Sequence, residues 1–303
     1  MDGLSVKIGS LILKNPVMVA SGTFGYGEEY AQLIDLNELG AIITKSITVK
    51  PRLGNPQPRL WETQGGLLNS IGLQNVGLAT FIDEKLPYLQ KYDTRVIVSI
   101  AGESVSEYCQ LAQALKKETF DALEVNISCP NVQHTKKGLF AQDKDLSYEI
   151  IRKAVRFSHK PVIAKLTPNI TDISIIAKAC EKAGAEAIAV VNTFNAMAVD
   201  LKTKKPVFKN IVAGLCGPAI KPQALYKVYE VKKAVKIPVI GMGGIMNLND
   251  ALEFIITGAS AIAVGVGNFV DPKIPLNIIN GLRHYLKDNK LAQVKHLIGS
   301  MTN

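Results

Sequence analysis

Short runs rich in apolar and β-branched residues recur along the chain, and most of them are followed by a stretch with helical periodicity. The eight runs cover residues 15–21, 41–46, 95–101, 122–128, 161–167, 187–193, 238–244 and 261–267. Amphipathic stretches lie between them at residues 104–117, 146–158, 172–184, 223–235 and 248–257, several with Gly or Lys at or just beyond the end. Eight strand–helix repeats predict an α/β fold, a (β/α)8 TIM barrel of parallel strands. A doubly wound open sheet is the alternative architecture, but it rarely has so many even repeats.

Two insertions interrupt this repeat, and each follows the carboxyl end of a strand. Residues 47–77 contain three prolines and five glycines. Residues 194–221 contain a hairpin-like piece, with strands at Val199–Leu201 and Val207–Lys209. Loops this long in a compact domain are usually lids or binding loops. We therefore expect both insertions to fold over the C-terminal mouth of the barrel.

The amino-terminal residues, about 5–14, predict a small hairpin that turns at Gly9-Ser10. We expect it at the end of the barrel opposite the insertions. No linker or low-complexity segment divides the sequence, so residues 1–303 are expected to form a single domain.

Composition excludes several classes of protein. The four cysteines are widely spaced without a CxxC pair, and the histidines are scattered, so no disulfide framework and no metal site is expected. This cysteine usage favours the reducing cytoplasm. Charged residues interrupt the amino terminus, and no apolar run approaches the roughly 18 residues of a membrane span. The formal net charge is +9, but the lysines are dispersed, so nucleic acid is not an expected partner.

The residues 122–131 are where we expect the chemistry to be centred. Asn126 lies at the carboxyl end of a buried strand, and Cys129 follows on the loop beyond it. In a barrel of this kind that end is the functional face. A thiol there can exchange a proton if its surroundings bring its pKa toward neutrality. The alternative is a small buried cysteine with a packing role.

Glycine-rich turns follow the last two predicted strands. Residues 241–245 read Gly-Met-Gly-Gly-Ile, and residues 265–267 read Gly-Val-Gly. Barrels place phosphate sites in these loops, where backbone N–H groups can approach the ligand closely. The alternative is glycine required by tight turns. The dinucleotide fingerprint G-x-G-x-x-G does not occur after a first strand.

Two lysines, Lys45 and Lys165, lie at the ends of apolar strands. Lysine is rarely placed in such a strand without a partner. The pair therefore predicts an anionic group in the site, such as a carboxylate, a phosphate or a reduced cofactor. A Schiff-base lysine and a lysine whose head group reaches solvent at the rim are the alternatives.

Four asparagines, Asn69, Asn126, Asn131 and Asn192, fall at strand ends or in the loops after them, and Thr193 follows the last. An amide supplies both a donor and an acceptor, so a group of them suits a flat heterocycle with imide-like edges. Any one of them alone is more often a turn residue.

These features resemble dihydroorotate dehydrogenases of class 1, specifically the NAD-linked 1B type, over nearly the whole chain. The matching segments are residues 15–27 (NPVMVASGTFGYG), 68–75 (LNSIGLQN), 126–132 (NISCPNV), 216–222 (CGPAIKP) and 241–245 (GMGGI). The SGTFG and CGPAIKP segments favour 1B over the fumarate-using 1A type. Class 2 enzymes differ because they have Ser as the base and an amino-terminal membrane segment.

The resemblance implies FMN at the barrel mouth, oxidation of dihydroorotate to orotate in pyrimidine (UMP) biosynthesis, and Cys129 as the catalytic base. The positions that match flavin contacts are Ser21, Lys45, Ser46, Ser99, Asn126, Lys165, Val191, Gly217, Gly243, Gly244, Gly265 and Val266. The positions that match substrate contacts are Lys45, Asn69, Ser70, Ile71, Gly72, Leu73, Asn126, Asn131, Asn192 and Thr193. Two positions depart from the family, which often has Asn in place of Ser99 and Thr in place of Val266.

The resemblance also implies roles and partners. Cys129 would take the C5 proton while FMN takes the C6 hydride, and Lys165 would stabilise the reduced flavin. Residues 132–143 would close over the site. NAD is the implied acceptor, but the chain has neither a dinucleotide fingerprint nor cysteines spaced for a cluster. A partner subunit is therefore expected, and the resemblance implies that it carries FAD and [2Fe–2S] and joins a homodimer core of this chain in a heterotetramer. The alternatives are a fumarate-linked 1A-like enzyme and a flavin-free, phosphate-binding Schiff-base or epimerase barrel.

Overall fold

A computed structural model describes residues 3–128 and 140–302 of the chain. The strands are β1 (Val6–Ile8), β2 (Leu11–Leu13), β3 (Val17–Val19), β4 (Ala41–Ile43), β5 (Leu60–Thr63), β6 (Gly66–Asn69), β7 (Arg95–Ile100), β8 (Ala122–Asn126), β9 (Val162–Lys165), β10 (Ala187–Val190), β11 (Phe194–Ala196), β12 (Val199–Asp200), β13 (Lys205–Pro206), β14 (Ala213–Cys216), β15 (Val239–Met242) and β16 (Ala261–Val264). The α-helices are α1 (Ser21–Phe24), α2 (Gly77–Thr80), α3 (Leu86–Leu89), α4 (Val105–Ala114), α5 (Lys144–Ser158), α6 (Ile173–Lys182), α7 (Lys221–Ala234), α8 (Leu248–Thr257), α9 (Gly267–Val270) and α10 (Ile274–Asp288). Short 3-10 segments lie at Tyr30–Gln32, Leu36–Glu38, Leu115–Lys117, Phe140–Gln142, Pro218–Ile220 and Val294–Leu297, and a π-helical turn lies at Phe81–Lys85.

Eight strands close into a barrel in the order β3-β4-β7-β8-β9-β10-β15-β16, and each pairs with its neighbours in parallel. Each barrel strand lies within one of the eight predicted runs. Nearly all of their residues are buried because both faces of a parallel strand are covered, by the barrel interior and by the helices. The predicted TIM barrel is therefore confirmed.

The five predicted helices are present, with small shifts at their ends that local chemistry explains. Helix α5 begins at Lys144 rather than at residue 146, because the Asp143 carboxylate caps it by accepting hydrogen bonds from the N–H groups of Asp145 and Leu146. Helix α7 begins at Lys221, before the predicted residue 223, because proline is tolerated in a first helical turn.

The two insertions pair with each other, which the sequence did not predict. Strands β5 and β6 of the first insertion and β11 and β14 of the second form one antiparallel sheet in the order β11-β14-β6-β5. Asn69 of β6 lies opposite Gly214 of β14 in this sheet. The sheet contributes to the wall of a cavity at the carboxyl ends of the barrel strands, so the expected position of both insertions is confirmed.

The predicted hairpin in the second insertion is present but shorter, and its second strand was placed wrongly. Strand β12 pairs with Lys205–Pro206 rather than with Val207–Lys209. Asp200 causes the early turn, since its carboxylate accepts hydrogen bonds from the N–H groups of Lys202 and Thr203.

Strands β1 and β2 form the expected amino-terminal hairpin, which pairs Val6 with Leu13. Its turn lies against the start of β10, where the N–H of Ser10 donates to the Glu186 carboxylate. The barrel end opposite the insertions is therefore the one it covers. None of the helices within residues 3–128 and 140–302 is long and apolar enough to cross a membrane.

Candidate functional site

A cavity of about 750 Å³ opens at the carboxyl ends of the barrel strands, under the inserted sheet. This volume falls in the range of small-molecule and cofactor sites. The predicted site residues that line it are Ser21, Lys45, Ser46, Asn69, Ser70, Ile71, Gly72, Leu73, Asn126, Lys165, Val191, Asn192, Thr193, Gly217, Gly243, Gly244, Gly265 and Val266. Ser99 is fully buried and lies behind this lining. Cys129 and Asn131 lie outside the described residues.

One side of the cavity is formed by backbone with free space beside it. A Cβ added at Gly265 would meet only Ala20, at 4.0 Å, and one added at Gly22 would meet nothing within 4 Å. The turn after β15 is different, because Gly243 and Gly244 have φ of 122° and 78°, which side chains disfavour. This wall can bring backbone N–H groups close to a ligand, as a phosphate site requires.

A buried ion pair forms the deepest charged part of the site. The Lys165 ammonium lies 3.7 Å from Oε1 of Glu124 and donates a hydrogen bond of 2.9 Å to the hydroxyl of Ser21. Only 4% of Lys165 is exposed, and Glu124 is not exposed at all. Lys165 and Glu124 lie on the paired strands β9 and β8, and Ser21 follows β3. Lys165 therefore lines the cavity with a positive charge that the Glu124 carboxylate already compensates.

A chain of hydroxyls runs from this carboxylate to the amide of Asn126. The Ser99 hydroxyl donates to Oε1 of Glu124 over 2.7 Å, and the Ser99 and Ser46 hydroxyls are 2.8 Å apart. Asn126 Nδ2 in turn donates to the Ser46 hydroxyl over 3.0 Å. Because the carboxylate can only accept, the hydrogens of both serines point toward Glu124.

The same chain continues on the other side of Asn126. Its Oδ1 accepts from the Ser128 hydroxyl over 2.7 Å, and that hydroxyl accepts from Asn192 Nδ2 over 2.7 Å. Asn192 Oδ1 accepts from the N–H of Thr193. The carbonyl oxygens of Asn126 and Asn192 are thus used internally, and each amide keeps one N–H for a ligand.

Asn69 is oriented the other way. Its Nδ2 donates to the carbonyl of Gly214 over 2.9 Å and to the Cys216 sulfur over 3.5 Å, so both of its hydrogens are used. Its Oδ1 accepts no hydrogen bond from the described residues. Asn126 and Asn192 therefore offer donors to the cavity while Asn69 offers an acceptor, which fits a ring carrying both carbonyl and N–H groups.

Lys45, on the loop after β4, lines the cavity, and its ammonium has no hydrogen bond or ion pair with the described part of the chain; its backbone N–H donates to the carbonyl of Gly25. Burial lowers the pKa of its ammonium, and the charge of Arg59 lowers it further, while Glu29 opposes these effects. This cation therefore lacks the compensation that Lys165 receives, and a ligand anion can supply it.

Sequence reasoning missed two residues of the site. Glu124 interrupts the apolar strand Leu123–Val125, a signal of the same kind as the one that identified Lys165. Cys216 lines the cavity, and its thiol donates to the carbonyl of Leu67 over 3.1 Å. Burial raises the pKa of this thiol to about 11, so it is a neutral wall residue. Cys216 opens the CGPAIKP segment beside the predicted contact Gly217, but its position against Leu67 depends on the pairing of β6 with β14.

Comparisons with known proteins agree with this architecture. The family model described as dihydroorotate dehydrogenase matches residues 3–286. The catalytic subunit of dihydroorotate dehydrogenase B (NAD(+)) from Thermoanaerobacter sp. (strain X514) is 50% identical over 298 residues, which cover 98% of this chain and 98% of that protein. The proteins of the same name from Geotalea uraniireducens (strain Rf4) and Caldicellulosiruptor bescii are each 50% identical, over 301 and 300 residues, covering 98% of this chain and 98% and 99% of their own lengths.

Proposed function

The chain belongs to the dihydroorotate dehydrogenase family, and on that premise we propose that it is the catalytic subunit of an NAD-linked dihydroorotate dehydrogenase. It oxidises dihydroorotate to orotate, a step of pyrimidine (UMP) biosynthesis. The observation that carries this proposal is the 50% sequence identity to a catalytic subunit of that name over 98% of both chains. The match extends over all the strands that form the cavity.

FMN is the cofactor we propose for the cavity, where it would accept the hydride that leaves C6 of the substrate. The residues fit such a group in three respects. The open backbone at Gly265 and the turn at Gly243 and Gly244 suit its phosphate. Lys165 suits the N1/O2 edge of the ring, where negative charge gathers on reduction. The cavity volume of about 750 Å³ is ample for a ring system of this size.

The protein's own residues orient the substrate. The unused N–H groups of Asn126 and Asn192 would donate to ring carbonyls, and Asn69 Oδ1 would accept from a ring N–H. Lys45 would bind the substrate carboxylate, because an anion restores the charge balance that burial disturbs. The loop Ser70–Leu73 lines the cavity beside Asn69 and completes the substrate contacts.

Cys129 is the proposed base that takes the proton from C5. It lies outside the described residues, but Ser128, which precedes it, hydrogen-bonds to both Asn126 and Asn192. Cys129 is therefore the next residue in the sequence after a serine that contacts both amides assigned to the substrate. Residues 132–143, most of them outside the described part of the chain, are the proposed lid that excludes water.

Electrons leave this chain through a partner in the proposed enzyme. The names of the relatives call them catalytic subunits, which implies a further subunit in those proteins. We propose that the partner of this chain carries FAD and [2Fe–2S], and that the complex is a heterotetramer around a homodimer of this cytoplasmic chain. The relatives' names include NAD(+), which favours this form over a fumarate-linked one.

Absorbance and steady-state kinetics test the proposed activity. The purified chain should be yellow and should oxidise dihydroorotate with an artificial acceptor, but it should reduce neither NAD nor fumarate at a comparable rate. Co-expression with the partner should restore NAD reduction. A colourless protein that condenses an aldehyde or ketone at Lys45 would instead support the Schiff-base alternative. Efficient NAD reduction without a partner would overturn the assignment of the electron path.

The role of Cys129 is tested by substitution. Cys129→Ala should retain FMN but slow flavin reduction by dihydroorotate by at least about two decades, the usual contribution of a positioned acid–base group. Cys109→Ala, a half-buried cysteine on α4, is the matched control and should react at the wild-type rate. Stopped-flow reduction of Cys129→Ala at the control rate would remove this residue from the mechanism.

A further inference from the structure

Glu124 is a buried carboxylate that the proposed mechanism does not use. None of its surface is exposed, and it is not part of the cavity lining. Oε1 accepts from Ser99 over 2.7 Å and lies 3.7 Å from the Lys165 ammonium. Oε2 is buried and accepts no hydrogen bond from the described residues. A carboxylate in this position is costly unless a cation compensates it, and Lys165 is the cation beside it.

The contacts of Lys165 leave part of its ammonium available to a ligand. Its ammonium has three N–H donors, one of which is directed to Ser21. The 3.7 Å separation from Glu124 is an ion pair without a direct hydrogen bond. The remaining donors are available to a ligand in the cavity that Lys165 lines.

We propose that Glu124 is a positioning residue that balances the charge of Lys165 while the cavity holds an uncharged flavin, so that the ammonium is in place before the flavin is reduced. This inference rests on the proposed function, because the bound flavin is part of it. When a hydride reaches the flavin, the negative charge that develops then meets a cation already present. No further proton has to enter the site at that moment.

Replacing the carboxylate by an amide changes the proton balance. In Glu124→Gln the oxidised site would hold a buried lysine with no carboxylate beside it, and burial without an opposite charge favours the neutral amine. Two-electron reduction would then generate the flavin anion and draw a proton from solvent onto Lys165. Reduction of the variant should therefore consume one more proton for every two electrons than reduction of the wild type.

Few other groups near Lys165 can contribute to this difference in proton uptake. Glu124 contributes the negative charge from β8, where Asn126 lies opposite Lys165 in register. The neighbour from β10 is Ala189, and the neighbour from α1 is its first residue, Ser21. Lys45 lines the same cavity and is unchanged in every variant, as is Cys129, so their contributions cancel in the comparison.

Potentiometric titration of the flavin at several pH values, with dithionite as reductant, measures the proton count. The slope of the potential against pH should correspond to one more proton in Glu124→Gln than in the wild type. Glu124→Asp keeps the charge and should return toward the wild-type slope. Glu181→Gln is the matched control, since that carboxylate accepts from the N–H groups of Lys236 and Ile237, away from the cavity. An unchanged slope in Glu124→Gln would overturn the proposal.

A double-mutant cycle tests the pair without any flavin. Glu124→Gln and Lys165→Met should each lower the denaturation midpoint of the flavin-free protein, and the double variant should lower it by less than the sum. Additive shifts would overturn the pairing of these residues. Because the cycle needs no cofactor, a protein that never binds flavin would refute the proposed function and still leave the pairing decided.

Discussion

The carboxyl ends of β9 and β4 each place a lysine in the wall of the same cavity, yet the two lysines differ in their partners. Lys165 has a carboxylate at 3.7 Å and a hydroxyl at 2.9 Å, both from the protein. The Lys45 ammonium has no hydrogen bond or ion pair with the described residues, and burial lowers its pKa. The protein compensates the charge of Lys165 with its own carboxylate, and it places no described anion within ion-pair distance of Lys45.

The difference follows from the neighbouring strands. Lys165 lies on β9, and the neighbouring strand β8 carries Glu124, whose carboxylate forms the ion pair with Lys165. Lys45 lies just beyond β4, where its charged neighbours are the cation Arg59 and the carboxylate of Glu29, whose effects on its pKa oppose each other. A lysine at a strand end therefore indicates an anion nearby, but the sequence does not reveal whether the anion belongs to the protein or to the ligand.

The largest expected effect separates the two lysines by stability. Lys165→Met should lower the free energy of unfolding of the flavin-free protein by about 3–5 kcal/mol, because it leaves Glu124 as an uncompensated buried charge. Lys45→Met should be neutral or stabilising, because it removes a desolvated charge without a protein partner. Urea denaturation near neutral pH measures both. Equal losses in the two variants would break the comparison.

For ligand binding, Lys45 should be the more important of the two lysines. Lys45→Met should weaken orotate binding by at least about 30-fold, since truncating one partner of a buried charge pair costs about 2 kcal/mol or more. Isothermal calorimetry with the flavin-loaded protein measures the dissociation constant. Lys50→Met, at an exposed lysine in the first insertion (residues 47–77), is the control and should bind orotate normally. If Lys45→Met binds like this control, the substrate carboxylate lies elsewhere.

A third variant tests whether the free space beside the backbone of the cavity, rather than a charge, contributes to FMN binding. Gly265→Ala should fold normally, because its Cβ would meet only Ala20 at 4.0 Å. The added methyl should lower FMN affinity by about tenfold, the cost of slight overpacking against a ligand. Fluorescence titration of the flavin-free protein measures this affinity, and thermal unfolding checks the fold. Unchanged affinity would show that the phosphate does not approach this backbone.

The smallest effect is a pH dependence specific to Lys45. Its folded pKa is below the ordinary value of 10.5, so between these two values the unfolded chain binds more protons than the folded one. The free energy of unfolding of the wild type should therefore rise with pH across that alkaline window, relative to Lys45→Met. Below the window the difference between the two proteins should be constant. A falling difference would contradict the direction of the shift.

Much of this fold could be predicted from the sequence because the signals are local. All eight barrel strands lie within the predicted runs, and helix α8 has the predicted bounds of residues 248–257. The alternation of short buried strands with amphipathic helices is decided within a few residues. Glycine at the turns after β15 and β16, and lysine at the ends of apolar strands, likewise predicted the end of the barrel at which the cavity lies.

What the tertiary structure decided are the contacts between segments far apart in the chain. The pairing of Asn69 with Gly214 joins the two insertions. Because the Asn69 Nδ2 donates to the Gly214 carbonyl, Asn69 offers its carbonyl oxygen to the cavity, whereas Asn126 offers an N–H. Barrel closure brings Ser21 to within 2.9 Å of Lys165, across 144 residues of sequence. It also places Ser99 behind the cavity wall, against Glu124, rather than among the lining residues. Periodicity fixes which residues face inward, but the partner of a buried charge is set by which strand lies next to it, and only the closed barrel determines that.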